Sequence, residues 1–366
     1  MSIIGRMGRV LANISGVGHR RWKEPKEPQI VAIGGGTGLS TMLRGLKAYT
    51  SNITAIVTVA DDGGGSGILR QDLGMLPPGD IRNCILALAN TEPIMEKLLQ
   101  YRFTEGMLKG QNFGNLFLAA MDGISPSFEQ AVQRMSDVLA VKGRVLPVTL
   151  QDIKLYAQLE DGYVIAGESK ISSHNNFHKG PIGRVYLKPE GVKPFYEAIR
   201  VIYDADAIVL GPGSLYTSII PNLLVEGICE AIKRSKALKI YVCNVMTQPG
   251  ETDGYSVASH IRAIEDHSFK GIIDYCIYNT SDISEDLKNR YTADGADIVR
   301  VNIGEMKELD VGFLGGDYVC ISNAYIRHDT NRLAKTIIEL VHKNLFSRNQ
   351  KMPTYYYRKG FKNLVQ

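Results

Sequence analysis

Three short glycine runs carry the residues most able to do chemistry in this 366-residue chain. Gly34-Gly35-Gly36-Thr37-Gly38 follows the apolar run 30–33, Asp61-Asp62-Gly63-Gly64-Gly65-Ser66-Gly67 follows 53–59, and Gly211-Pro212-Gly213-Ser214 follows 207–210. Glycines at strand-to-helix turns let backbone N–H groups approach phosphate oxygens, and the dipole of the following helix favours an anion there. Gly35, Gly36, Thr37 and Gly38 are therefore candidates for an anion cradle, and Gly211, Gly213 and Ser214 for a second anion subsite. The alternatives are a plain tight turn for the first run and an N-capped helix for the last.

Asp61 and Asp62 end an apolar run and precede Gly63. One carboxylate there suits a ribose hydroxyl, two suit a hard cation such as Mg²⁺ shared with phosphates, and either suits a turn cap. Pro77-Pro78-Gly79-Asp80-Ile81-Arg82-Asn83 reads as a helix start with Asp80 at the N-cap, bringing Arg82 and Asn83 into the first turn. Arg82 suits a phosphate, or is simply a solvated charge. Asn115, in Gln111-Asn112-Phe113-Gly114-Asn115, reads a base or sugar, or belongs to a helix cap.

Several familiar chemistries are missing. Gly34-x-Gly36 opens a dinucleotide fingerprint whose sixth position is Leu39, and no Gly-Lys-Ser/Thr closes a Walker loop. There is no Gly-x-Ser-x-Gly elbow, and the five cysteines stand singly without metal-ligand spacing. His174 and His178 are four apart in what reads as a loop, a weak basis for a metal pair. No acid or base announces itself as catalytic.

The elements that must position these residues alternate. Runs at 29–33, 53–59, 207–210, 239–245 and 272–278 lack polar alternation, as strands covered on both faces do. Helical spacing marks 39–47, 80–89, 224–234, 256–266, 284–294 and 331–344. The order implies an α/β, Rossmann-like, doubly wound and mostly parallel sheet. Near 145–190 two runs flank Glu160-Asp161-Gly162 and another follows, implying an antiparallel insert. The division is thus a basic leader (1–28), a nucleotide-type body (29–345) and a basic aromatic tail (346–366).

The formal charge of +4 is concentrated at the ends. The leader and the stretch 351–366 each contribute +4, which leaves the body near −4 and argues against a nucleic-acid-binding face. No apolar run approaches the roughly 18 residues of a membrane span, and the leader lacks a contiguous apolar core. The expectation is a cytoplasmic protein. The leader's apolar residues fall three or four apart, which suits a mobile arm or peripheral membrane or partner docking.

Taken in order, Gly34 to Ser40, Asp61-Asp62-Gly63-Gly64, Pro77 to Asn83, Gly114-Asn115-Leu116, Gly211-Pro212-Gly213-Ser214 and Asn244-Val245-Met246-Thr247-Gln248-Pro249-Gly250-Glu251-Thr252 resemble the bacterial gluconeogenesis factor family of the YvcK type. Its relatives are the CofD-type 2-phospho-lactate transferases. The resemblance covers about 29–344. It implies a Rossmann-like fold, binding of UDP-sugars such as UDP-N-acetylglucosamine, and a role in cell shape, morphogenesis and envelope metabolism during growth on gluconeogenic carbon sources. Envelope-synthesis partners and a homo-oligomer are further expectations. Carried across from the transferase branch, Asp61 and Asp62 correspond to metal or ribose positions, and Gly36, Thr37, Gly213 and Ser214 to the phosphate cradle. Tyr291 and Arg327 resemble UDP-sugar contacts, which suits an aromatic ring and a guanidinium fork. Thr330 would be a regulatory phosphorylation site, where added charge near Arg327 competes with a diphosphate. Two positions depart from the family, Gly65 and Ile68 standing where Ser and Arg are common. The alternative reading is a Mg²⁺-dependent CofD-like transferase of a phosphorylated group.

Overall fold

In β1 (Ile30–Gly34), β2 (Ile53–Val57) and β7 (Ala207–Leu210) every residue is buried. Their Ile, Val and Ala side chains have no polar face to offer water, so these strands form the centre of a sheet covered on both sides. The computed structural model describes residues 27–173, 177–322 and 325–348. The leader's first 26 residues, the tail beyond 348, and His174 lie outside the described residues.

Between the first two central strands lies α1 (Gly36–Leu46). After them come α2 (Gly64–Leu73), α3 (Gly79–Leu88), α4 (Pro93–Gln100), α5 (Phe113–Gly123), α6 (Phe128–Val138) and β3 (Arg144–Pro147). β4 (Lys154–Leu159), β5 (Val164–Ala166), α7 (Glu168–Ile171), β6 (Ile182–Lys188) and α8 (Tyr196–Asp204) lead to β7. The second half runs through a π-turn (Leu215–Ile219), α9 (Ile220–Leu223), α10 (Ile228–Arg234), β8 (Leu238–Val242), α11 (Val257–Asp266), β9 (Tyr275–Asn279), α12 (Glu285–Ala293) and α13 (Ile303–Met306). It ends with β10 (Gly312–Gly316), β11 (Val319–Ser322), β12 (Tyr325–His328) and α14 (Thr330–Arg348).

Seven strands form one parallel sheet in the order β10-β9-β8-β7-β1-β2-β3. From β1 the chain moves outward through β2 and β3, then returns to the other side of β1 for β7, β8, β9 and β10. That reversal is a topological switch point, and it opens a crevice at the carboxyl ends of β1 and β7. Helices flank the sheet, α1 packing on both α3 and α14. The chain is an α/β protein of Rossmann-like type with a small antiparallel sheet, β5-β4-β6.

Sequence and structure differ in places. The antiparallel sheet occupies 154–188, because Arg144–Pro147 pairs in parallel with β2 and so belongs to the main sheet. The helix expected over 224–234 is broken: Gly227 is left-handed (φ 81°) and separates α9 from α10. Asp80 is not the N-cap of α3, which begins after Pro78. Helix α2 begins inside the glycine run, and β10 is a strand that no apolar run marks, three of its five residues being glycine. Among the described residues no single helix is long and apolar enough to cross a membrane.

Candidate functional site

The first glycine run turns directly from β1 into α1. Gly35 is extended, Gly36 has φ +68°, and no side chain caps the helix. The first N–H groups of an α-helix have no intrahelical partner. The Gly36 amide donates to the Asp80 carboxylate, and Thr37 and Gly38, which follow it, line the crevice. A Cβ on Gly38 would lie 2.6 Å from the Pro212 carbonyl oxygen, so only glycine lets the loop after β7 approach this closely.

The second loop is held by side chains. Asn244, just after β8, accepts from the Gly213 amide through Oδ1 (3.2 Å) and donates to the Gly213 carbonyl through Nδ2 (2.8 Å). The Gly211 amide donates to the Ile33 carbonyl at 2.9 Å. Both amides are therefore engaged within the protein, which corrects their expected role as phosphate donors; these glycines supply close approach. Ser214 Oγ accepts from Gln248 Nε2 at 2.7 Å. Below the turn, the fully buried Asn222 donates to the carbonyl of Gly34 at 3.1 Å and fixes the end of β1.

Between the loops is a cavity of about 270 Å³ lined by Gly35, Gly36, Thr37, Gly38, Gly213 and Ser214, and closed opposite by Tyr291, Ile326, Arg327 and His328. Tyr291 comes from α12 and Arg327 from β12, over a hundred residues from the first loop. The Tyr291 hydroxyl accepts from the Ile326 amide at 2.8 Å, which fixes the ring against β12. Arg327 is exposed, with its guanidinium 5.6 Å from the centre of the Tyr325 ring. His328 shares a 3.2 Å hydrogen bond between Nε2 and the Cys243 carbonyl, and burial pushes its pKa down to about 4. At neutral pH the ring is uncharged and Nε2–H is the donor. Arg327 is thus the cavity wall's cationic side chain among the described residues.

Other candidates sit elsewhere. Arg82 is buried, donates to Asn112 Oδ1 at 2.8 Å, and is absent from the cavity lining. Burial lowers its pKa to about 10. It joins α3 to the start of α5 instead of meeting a phosphate in this cavity. Asn112 also accepts from the Asn115 amide at 3.2 Å and caps α5, so the capping alternative holds there, while Asn83 and Asn115 stand away from the lining. His178 contacts Asp161 Oδ2 at 2.7 Å and stacks on Tyr163.

Asp61 and Asp62 face different partners. Asp61 Oδ1 accepts from the Gly63 amide and Asp62 Oδ1 from the Ser169 amide, each at 2.9 Å, so Asp62 serves as an acceptor for the start of α7. Among the described residues no group of three or more His, Cys, Asp or Glu is arranged to hold a metal ion. Each carboxylate spends one oxygen on a backbone amide, and Asp61 Oδ2 and Asp62 Oδ2 are not used in these two bonds. Thr330 opens α14 beside α1, half-buried and outside the cavity lining.

Two carboxyl groups not expected as site residues lie close to the cradle, outside the cavity lining. Asp80 lies behind Gly35, where a Cβ would be 2.5 Å from its Oδ2. Burial, and then the charge of Asp61, push its pKa up to about 7. Glu168 on α7 is pushed up to about 8, first by burial and then by Asp61 and Glu251. Glu168 carries no motif, and Asp80, within the Pro77 to Asn83 segment, reads there as a helix cap, because the elements that bury both are remote in sequence. Asn244 and Gln248 were also missed as site residues, although the segment 244–252 is part of the recognisable motif set.

The fold and site together define a Rossmann-like α/β protein with a glycine cradle at the switch point of its sheet. The family model for 2-phospho-L-lactate transferase CofD matches residues 30–319. The chain is 62% identical over 314 residues to a relative from Thermoanaerobacterium thermosulfurigenes, covering 86% of this chain and 97% of that one. It is 47% identical over 317 residues to the gluconeogenesis factor of Bacillus subtilis, covering 86% and 99%. A crystal structure of a Bacillus halodurans protein superposes with a TM-score of 0.82 at 46% identity, covering 86% of this chain and all of that one. The chain belongs to the CofD family, among the proteins named gluconeogenesis factors.

Proposed function

We propose that this chain binds a UDP-sugar, such as UDP-N-acetylglucosamine, in the cavity at the switch point and acts in the cytoplasm as a regulator of cell shape and envelope metabolism. The observation that carries the reading is the convergence, on one 270 Å³ cavity, of Thr37 and Gly38 at the start of α1 with Tyr291 and Arg327. Amides and the helix dipole suit the diphosphate, the Arg327 fork suits its outer oxygens, and the Tyr291 ring offers an aromatic face. Envelope-synthesis proteins are the proposed partners that sense occupancy, since a sensor needs only differential binding between two states.

A CofD-like transferase is the second reading, favoured by the family model and by the Asp80 and Glu168 carboxyl groups beside the cradle. A thermal-shift panel of UDP-N-acetylglucosamine, GDP and NAD, with and without Mg²⁺, separates the two when followed by product analysis. At about 100 times Kd a ligand adds roughly 2.7 kcal/mol of stability. Stabilisation by the UDP-sugar, with intact ligand recovered, supports the regulator. Metal-dependent consumption of the ligand replaces it with the transferase.

A further inference from the structure

One polar atom in the cavity wall is left unsatisfied by the fold. Gln248 donates through Nε2 to Ser214 Oγ, while its Oε1 is buried and has no hydrogen-bond partner. Among the described residues, it is the buried unpartnered side-chain atom that belongs to the cavity lining. Native proteins pair nearly all buried acceptors, so an orphan in a ligand cavity points to a donor carried by the ligand.

The walls give that donor a place. The α1 amides stand at the centre of the crevice, after β1. On the β8 side the lining is Val245, Met246, Ile326 and Tyr291, an apolar slot suited to a flat ring. Asp80 lies buried behind Gly35, outside the cavity lining. With the diphosphate at the α1 start, the base of a nucleotide sugar has this apolar slot, where the 244–248 segment lies, to enter.

We infer that Gln248 Oε1 accepts a hydrogen bond from the imide N–H of a pyrimidine base, making Gln248 a residue that selects uracil over cytosine. This rests on the proposed nucleotide-sugar reading. Uracil presents N3–H, a donor. Cytosine presents a lone pair at N3, which would leave two acceptors facing each other away from water. Ser214 has a definite part in this selection: by engaging Nε2 it leaves Oε1 as the unpaired atom of the carboxamide.

The test is calorimetric titration of the full chain with UDP, CDP and N3-methyl-UDP, for the wild type, Gln248→Leu and Gln248→Glu, with melting temperatures recorded alongside. The wild type is expected to bind UDP at least about tenfold tighter than CDP or N3-methyl-UDP. Gln248→Leu should bring UDP and CDP to similar affinity, whereas Gln248→Glu, which still offers only acceptors, should keep their ranking. Equal binding of the three ligands by the wild type, a preference for CDP, or retention of the ranking in a folded Gln248→Leu protein overturns the inference while leaving nucleotide binding intact. If neither UDP nor UDP-N-acetylglucosamine binds, the nucleotide-sugar reading falls, and this inference with it. The wild-type comparison of UDP with N3-methyl-UDP decides the matter even if a variant fails to fold.

Discussion

Replacing Gly38 with alanine tests whether the two loops at the switch point must touch. The added Cβ would lie 2.6 Å from the Pro212 carbonyl oxygen, 2.8 Å from its carbon and 3.1 Å from the Gly213 nitrogen. All three are backbone atoms, so no side chain can swing away. Ordinary contact begins near 3.4 Å, and the loops after β1 and β7 must part by close to the difference, about 0.8 Å. Overpacking of this kind costs about 1–3 kcal/mol. The same displacement moves the α1 amides relative to Tyr291 and Arg327, so affinity for a UDP-sugar should fall at least about tenfold, or 1.4 kcal/mol. Urea unfolding gives the stability term and calorimetric titration the binding term. Gly123→Ala is the control, because a Cβ there meets nothing within 4 Å, and it should be neutral. Wild-type stability and affinity in Gly38→Ala would refute the claim that these loops form one rigid cradle.

Arg327→Ala should weaken UDP-sugar binding about tenfold or more with an unchanged melting temperature, since the side chain is exposed and a charge-assisted contact is lost; unchanged affinity removes Arg327 from the site. Tyr291→Phe deletes the acceptor for the Ile326 amide and should cost about 1 kcal/mol in urea unfolding; no loss would mean that the ring is held by packing alone. Asp62→Ala leaves the Ser169 amide uncapped and should destabilise by about 1 kcal/mol, with proteolysis near α7 as the local readout. Asp80 and Glu168, with folded pKa values of about 7 and about 8 against ordinary values of 3.8 and 4.5, hold protons that the unfolded chain has released. Their contribution to stability is therefore present below about pH 4 and is lost as pH rises toward 8. His260 and His328, lowered to about 4, act oppositely up to their unfolded value of 6.5. The carboxyl effect is unopposed by those histidines from about 6.5 to 8, where Asp80→Asn should flatten the fall in denaturation midpoint; an unchanged slope would show that Asp80 is not the group titrating.

The unalternating apolar runs ending in glycine were enough to infer buried parallel strands and a loop cradle, because a strand covered on both faces has no polar residues to spare. The ends of the insert were not legible. Arg144–Pro147 and Lys154–Leu159 have similar composition, yet one joins the parallel sheet and the other an antiparallel one. That choice depends on which partner strand is within reach. Arg82 and Asp62 show the same limit at the site: a guanidinium or carboxylate beside glycines fits a ligand or a local structural bond equally well until its neighbours are known.

Local order along the chain is enough to specify strands, turns and amides free at the start of α1, since backbone geometry and burial act over a few residues. The meeting of Gly36 to Gly38 with Tyr291 and Arg327 arises from the reversal of strand order at β1 and β7, a long-range feature with no local signature. The same long-range packing buries Asp80 and Glu168, shifting their protonation, and commits the amides of Gly211 and Gly213 to internal bonds. Electrostatics and hydrogen-bond satisfaction depend on distances between remote segments, and those distances exist only once the chain has folded.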